Sequence, residues 1–339
     1  DNVFEIQEDI ATAVVDALRI TLLGEVPETR KTDPVAYQLF LEGQYLNRQI
    51  SYDSLNRAIE VFKQAVEIDP AYAPAWAELA DTYLWGGASH ELSRDEVVAL
   101  AEQAIQRAIS TDPDYAFAYY VRGISWFFTK NKFDRGMEDF EHALELEPDN
   151  AFLVAAIGKG AFLTGQYDLA ISQYKAALAL EPIVPEFYWY LGRTYLSSGR
   201  LDDAEASFKK LSSLSSSDLG RFHLWETALM KGDLEAALAM TDSDFQRAVT
   251  HFALGNTAKA DAALGNLNDN AYSIAMVYGY RGDVDKTFEW LDRVLEAEDH
   301  FPTFILTETA FQSVHSDPRW ELLLEKLGLL EFWREMTPV

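Results

Sequence analysis

Apolar residues recur along this chain at helical spacing, in a small, large, small order. Ala58, Phe62 and Ala65 set the pattern, which returns as Ala101, Ile105, Ala108, as Gly136, Phe140, Ala143 and as Ala170, Tyr174, Ala177; Ala204, Phe208 and Leu211 continue it. Residues four and three apart share one helix face, where the small ones admit a neighbouring helix closely and the large one fills the space beside them. A second series precedes each of these: WAELADTY (76–83), YYVRGISW (119–126), VAAIGKGA (154–161) and YWYLGRTY (188–195) begin with a large or apolar residue and place Ala80, Gly123, Gly158 or Gly192 fifth. The two series predict paired helices that cross closely.

Punctuation between the helices follows the same rhythm. GQYDLA (165–170) and GRLDDA (199–204) offer a glycine to stop one helix in the left-handed conformation and an aspartate to cap the next. Acid–proline pairs stand at Asp33-Pro34, Asp69-Pro70, Asp112-Pro113, Glu147-Pro148 and Glu181-Pro182, with successive prolines 36, 43, 35 and 34 residues apart. Proline suits the first turn of a following helix and disfavours helix in the residue before it, so each pair is expected to end one unit. A period near 34 is the length of one helix–turn–helix unit of a solenoid.

From Pro34 to about Ser215 these residues resemble tetratricopeptide repeats, whose pattern runs W-x2-L-G-x2-Y, then A-x3-F, then a proline. Five units fit, the first with a longer turn and the second with about nine extra residues in GGASHELSRDE (86–96), relative to the usual period. Shortened units continue through LMKGDLEAAL (229–238), FALGNTAKADAAL (252–264) and AYSIAMVYGYRGDVDKTFEWLDRVL (271–295), and SSLSSSDLG (212–220) is a candidate bend. The resemblance implies an all-α, right-handed superhelical solenoid of about eight antiparallel helix pairs with capping helices at both ends. Its expected divisions are an amphipathic helix within 1–23, a linker at 24–33, five well-matched units at 34–215, three degenerate units at 216–300 and a capping segment at 301–339.

The ends carry a looser resemblance. Val3, Ile6, Ile10, Ala13, Ala17 and Ile20 are spaced by threes and fours, the mark of an amphipathic helix that could cap the array, form a dimer seam or belong to an upstream domain. VFEIQEDIATAVVDAL and HSDPRWELLLEKLGL are similar to the repeat-bearing tails of bacterial multidomain regulators, which carry a nucleotide cyclase or winged-helix domain and a TolB-like segment earlier in the chain. That similarity, and a start at Asp1, imply a piece of a larger regulator in the cytoplasm, or in the periplasm as part of a membrane-anchored chain.

Composition narrows the partners. The 339 residues are 48% hydrophobic and include 28 basic against 55 acidic side chains, a net charge of -27 that repels nucleic-acid phosphates and anionic lipid surfaces. Nucleic acid and direct membrane contact are therefore not expected. Cysteine is absent, which removes disulfides and thiolate chemistry. His90, His142, His223, His251, His300 and His315 show no metal-ligand spacing, no phosphate loop or nucleophile motif is present, and acids at helix ends read as caps. The sequence thus predicts a non-catalytic protein with no cofactor and no metal.

In a tetratricopeptide solenoid the first helices line a concave groove, mainly through repeat positions 2, 5, 9 and 12. The resemblance carries those positions onto Phe117, Tyr120, Ile124 and Phe127, onto Phe152, Lys159 and Phe162, and onto Glu186, Trp189 and Arg193. Aromatic side chains would supply hot spots, and Lys159 and Arg193, at one position in adjacent repeats, could hold a carboxylate of a peptide or protein partner. Asp81 and Ile124 stand where those cations do in their own repeats, so the family's carboxylate clamp for peptide C-termini is not reproduced. The same aromatics could instead pack between first helices, with the cations paired to Glu186 or nearby acids. Three functions follow: recognition of a peptide or protein segment in the groove, self-association as a homodimer, and an enzyme or small-ligand sensor with a pocket around Trp189.

Overall fold

The computed structural model describes residues 32–49, 51–85, 93–129, 132–215, 217–268, 270–296 and 303–336. The expected helix at 2–23 and most of the linker and of the insertion at 86–96 lie outside them. Among the described residues the chain is all-α: eight antiparallel helix pairs form a superhelical solenoid of the tetratricopeptide kind, closed by capping elements. The pairs are α1 (Pro34–Asn47) with α2 (Tyr52–Ile68), α3 (Ala73–Leu84) with α4 (Arg94–Thr111), α5 (Ala116–Thr129) with α6 (Phe133–Leu146), and α7 (Ala151–Leu163) with α8 (Tyr167–Leu180). They continue as α9 (Pro185–Ser197) with α10 (Leu201–Leu214), α11 (Leu219–Lys231) with α12 (Leu234–Met240), α13 (Asp244–Ala253) with α14 (Thr257–Gly265), and α15 (Ala271–Arg281) with α16 (Val284–Glu296). Each pair packs on itself and on the next, and α10 packs directly on α11 across the candidate bend.

The small–large–small residues make these crossings. Phe62, Phe140, Tyr174 and Phe208 are fully or almost fully buried, as are the alanines beside them. A Cβ added to Gly43, Gly123 or Gly192 would meet the ring of Phe62, Phe140 or Phe208, so the first helix of the pair can approach only because hydrogen stands there. At the turns Gly165 and Gly199 adopt φ values of 70 and 73°, the left-handed stop expected of them.

Two local expectations need correction. Pro34 does open α1, but Pro70, Pro113, Pro148 and Pro182 sit in the loops before the next helix instead of in its first turn. Their effect is on the preceding residue: Asp69, Asp112, Glu147 and Glu181 all close their helices in non-helical conformations. Aspartates of GQYDLA and GRLDDA lie inside the first turns of α8 and α10 and cap through charge, without a side-chain bond to the cap amides. Caps of the hydrogen-bonded kind occur at Asp33, Asn150, Asp233 and Asn270.

Beyond α16 the chain turns inward. Two 3-10 turns (Thr303–Thr307 and Thr309–Val314) precede α17 (Pro318–Lys326) and α18 (Leu330–Met336). Ile305, Phe311, Val314, Trp320 and Leu324 are fully buried, each worth about 1.5–3 kcal/mol of burial relative to exposure. They belong to the same apolar cluster as α5 to α10, so the core joins the middle of the sequence to its end. Phe332 of α18 stacks on Phe133 at the start of α6, with ring centroids 3.7 Å apart.

Candidate functional site on the concave face

The first helices of the pairs converge on a shared inner face, and its floor is polar in two places. The upstream place is built on Lys159 of α7, which is 6% exposed. Its ammonium lies 5.5 Å from the ring centres of both Trp85 and Tyr190, one beyond α3 and one on α9, although their sequence positions are far apart. Helices separated by two repeats can reach one side chain only across a concave surface. Burial works against the charge on Lys159, but Tyr190, Tyr120 and Glu186 outweigh it and raise its pKa above the usual lysine value.

Asp81 completes this upstream place. It accepts from Trp85 Nε1 at 3.1 Å, and burial and the neighbouring Glu78 push its pKa up to about 7, against the opposing pull of Trp85 and Lys159. Walled by protein yet partly solvent-accessible, it sits as the floor of a groove should. Glu78 is tied to Gln44 at 2.7 Å and to Asn47 at 3.4 Å, and Asn47 reaches Thr82 at 2.8 Å, a polar ladder from α1 to α3. Around these groups Trp85 and Phe152 remain 58% and 50% exposed, with Tyr37 of α1 further along the array.

The downstream place is a closed network. Trp189 Nε1 donates to His223 Nε2 at 2.8 Å, which leaves the proton of the neutral ring on Nδ1, 2.9 Å from Glu226 Oε2. The Tyr280 and Thr309 hydroxyls donate to Glu226 Oε1 at 2.9 and 2.5 Å. Burial lowers the His223 pKa; against its own desolvation, the Glu226 pKa is lowered by its hydrogen bond with His223, by the charge of Arg193 and by the Thr309 hydrogen bond. Arg193 lies over the rings of Phe162 and Trp189 and 3.5 Å from Glu308. Both nitrogens of His223 are thus committed to hydrogen bonds within the protein.

The ten residues singled out in the sequence divide accordingly. Ile124, Phe127 and Phe162 are buried at 3, 1 and 0% and pack between helices; Phe127 stacks on Phe140 at 5.3 Å. Phe117 and Tyr120 are half-buried and stack on each other at 5.6 Å, whereas Phe152 and Glu186 face solvent. The two cations have different partners: Lys159 meets Tyr190, Tyr120 and Glu186, and Arg193 meets Glu308. Trp85, His223, Glu226, Tyr280, Glu308 and Thr309 escaped the sequence reading. Trp85 and His223 were within reach of it, since His223 is 34 residues after Trp189 in the repeat frame; Glu308 is 115 residues from Arg193 and carries no periodic signal. Among the described residues no group of three or more His, Cys, Asp or Glu side chains is placed to hold a metal, and no helix is long and apolar enough to cross a membrane.

Residues 156–218 match the tetratricopeptide repeat family model. A putative adenylate cyclase 3 of Rhizobium meliloti (strain 1021) is 30% identical over 155 residues, which covers 42% of this chain and 24% of that protein. The chain thus spans about a quarter of the length of this curated relative. Among solved structures, PilW, a widely conserved type IV pilus biogenesis factor, superposes with a TM-score of 0.52 at 22% identity, over 69% of this chain and 100% of that one. A thermophilic tetratricopeptide repeat protein of Thermus thermophilus gives a TM-score of 0.49 at 25% identity, over 57% and 99%. The PilW likeness is one of fold.

Proposed function

We propose that this chain is an interaction module whose inner face, along α1, α3, α5 and α7, takes an extended segment of a partner protein. The observation that carries this reading is the pair of half-exposed aromatics, Trp85 and Phe152, set beside the buried Lys159 and the half-buried Asp81 on that face. Large aromatics left open around fixed polar groups are the usual composition of a binding hot spot. Lys159 already has Glu186 and Asp81 about it, so the partner needs an apolar or aromatic anchor more than a carboxylate there. The partial match to a putative adenylate cyclase supports reading the chain as the regulatory part of a larger protein.

The test is retention of a partner by the full-length protein carrying Trp85→Ala and Phe152→Ala. Both side chains are exposed, so the helical signal should persist while the partner is lost; a partner held equally well by both forms would move the site off this face.

One observation favours self-association as a second reading. Tyr37, Leu41 and Tyr45 form an i, i+4, i+8 stripe on α1, 46, 46 and 66% exposed, at the outer end of the described array. Terminal repeats require a cover for such surfaces. A second copy would supply it, and sedimentation should then show a dimer that Leu41→Lys and Tyr45→Lys convert to monomer.

A further inference from the structure

The inner face is open upstream and filled downstream, and the filling comes from the chain itself. The first 3-10 turn packs on α7, and Ile305 and Leu306, 0 and 4% exposed, enter the apolar cluster that includes Ala155 and Phe162. Two positions beyond Leu306, Glu308 meets Arg193 of α9, both side chains largely buried at 15 and 11% exposure. Thr309 then binds Glu226 of α11. The segment therefore touches the fourth, fifth and sixth pairs through their first helices, the surface on which a solenoid of this kind receives a ligand.

Its conformation is that of a guest. A five-residue 3-10 turn has too few hydrogen bonds to hold its own shape, so the surface imposes it. What that surface reads is specific: two adjacent apolar side chains, then an acid. Arg193 is steadied for the acid by the Phe162 and Trp189 rings, 5.9 and 5.7 Å from its guanidinium carbon.

We infer that the face of α7, α9 and α11 is a binding site for peptide segments bearing two adjacent apolar residues and a carboxylate two positions further on, with Ile305-Leu306-Thr307-Glu308 as its resident occupant. A partner segment of that chemistry enters by displacing the resident one. Because the resident is tethered, its effective concentration is on the order of millimolar, and free peptide at micromolar concentration is shut out of the unmodified chain. This site is downstream of the face proposed above and goes beyond that reading.

The probe is a fluorescein-labelled peptide of residues 303–310, followed by polarisation with the whole chain. Glu308→Lys sets two cations against each other and releases the resident segment, so that variant should bind the native peptide at least about tenfold more tightly than the unmodified chain does. Arg193→Glu should prefer, by a similar factor, a peptide in which Glu308 is replaced by lysine. Hydrogen exchange at residues 303–309 should accelerate in both variants. Native peptide bound no better by the Glu308→Lys chain, or no preference for the reversed charge by the Arg193→Glu chain, overturns the inference. So does loss of the helical signal in both variants, which would make the segment an inseparable part of the core. Neither variant alters Trp85 or Phe152, so failure here and failure of the upstream face remain distinct results.

Discussion

Trp189 and His223, 34 residues apart, are joined by a 2.8 Å hydrogen bond between successive first helices, and this bond fixes which nitrogen of the imidazole carries the proton. With Nε2 accepting, Nδ1–H is directed at Glu226, and Glu226 in turn collects the Tyr280 and Thr309 hydroxyls. Three elements, α11, α15 and the second 3-10 turn, therefore share one buried carboxylate, and α9 joins them through His223. Trp189→Phe would remove the indole N–H, with some loss of ring volume, and orphan Nε2 of the buried His223, a loss of about 1–3 kcal/mol. Differential scanning calorimetry should show the lowered midpoint, and His223→Phe in the same background should add less than it does alone.

The close crossings make an independent prediction. Gly192→Ala places a methyl group against the Phe208 ring and should destabilise the chain by about 1–3 kcal/mol. Adding Phe208→Leu should recover part of that loss, because the smaller side chain gives up the space; urea titration of the single and double variants measures it. At Gly279 the obstacle is the Ala310 backbone carbonyl, which cannot give way as a side chain can. Gly279→Ala should be the costlier change.

These crossings also show what was legible in the sequence. Gly192 and Phe208, like Gly123 and Phe140, are paired at matching places of a repeating frame, so period alone located their packing. The downstream half of the inner face was hidden for a physical reason: Glu308 reaches Arg193 by folding back over the length of three further pairs, and long-range return of a chain leaves no periodic mark. The burial of Phe127 and Phe162 was equally invisible, since an aromatic at a groove position looks the same whether a ligand or a neighbouring helix covers it.

Acid sensitivity should come from His315. It lies 4.5 and 4.7 Å from the Trp320 and Trp333 rings, and burial lowers its pKa to about 4. The unfolded ring takes a proton near pH 6.5 and the folded ring does not, so the associated stability is complete above 6.5 and is lost as pH falls towards 4. The loss should amount to about 2 kcal/mol, allowing for partial solvent contact. His315→Phe should flatten that part of a melting-temperature profile; an unchanged slope would place the sensitivity at another group.

Asp81 has the opposite sign. Its folded pKa, raised to about 7 by burial and Glu78, means that ionisation costs more in the folded chain than in the unfolded one. The penalty is full above pH 7 and shrinks as pH falls towards the ordinary carboxylate value. Asp81→Asn, which can still accept from Trp85, should therefore raise the melting midpoint at pH 8 by the equivalent of about 1 kcal/mol and leave it nearly unchanged at pH 4.

The inner face as the working surface is tested most directly by site-specific photo-crosslinking in the full-length protein inside its native cells. A benzophenone side chain replaces Phe152 on α7 in one form and the exposed Ala176 on α8, the outer helix of the same pair, in another. Partner adducts are expected from position 152 and none from 176. Adducts from 176 with none from 152 would contradict that expectation and place recognition on the outer surface.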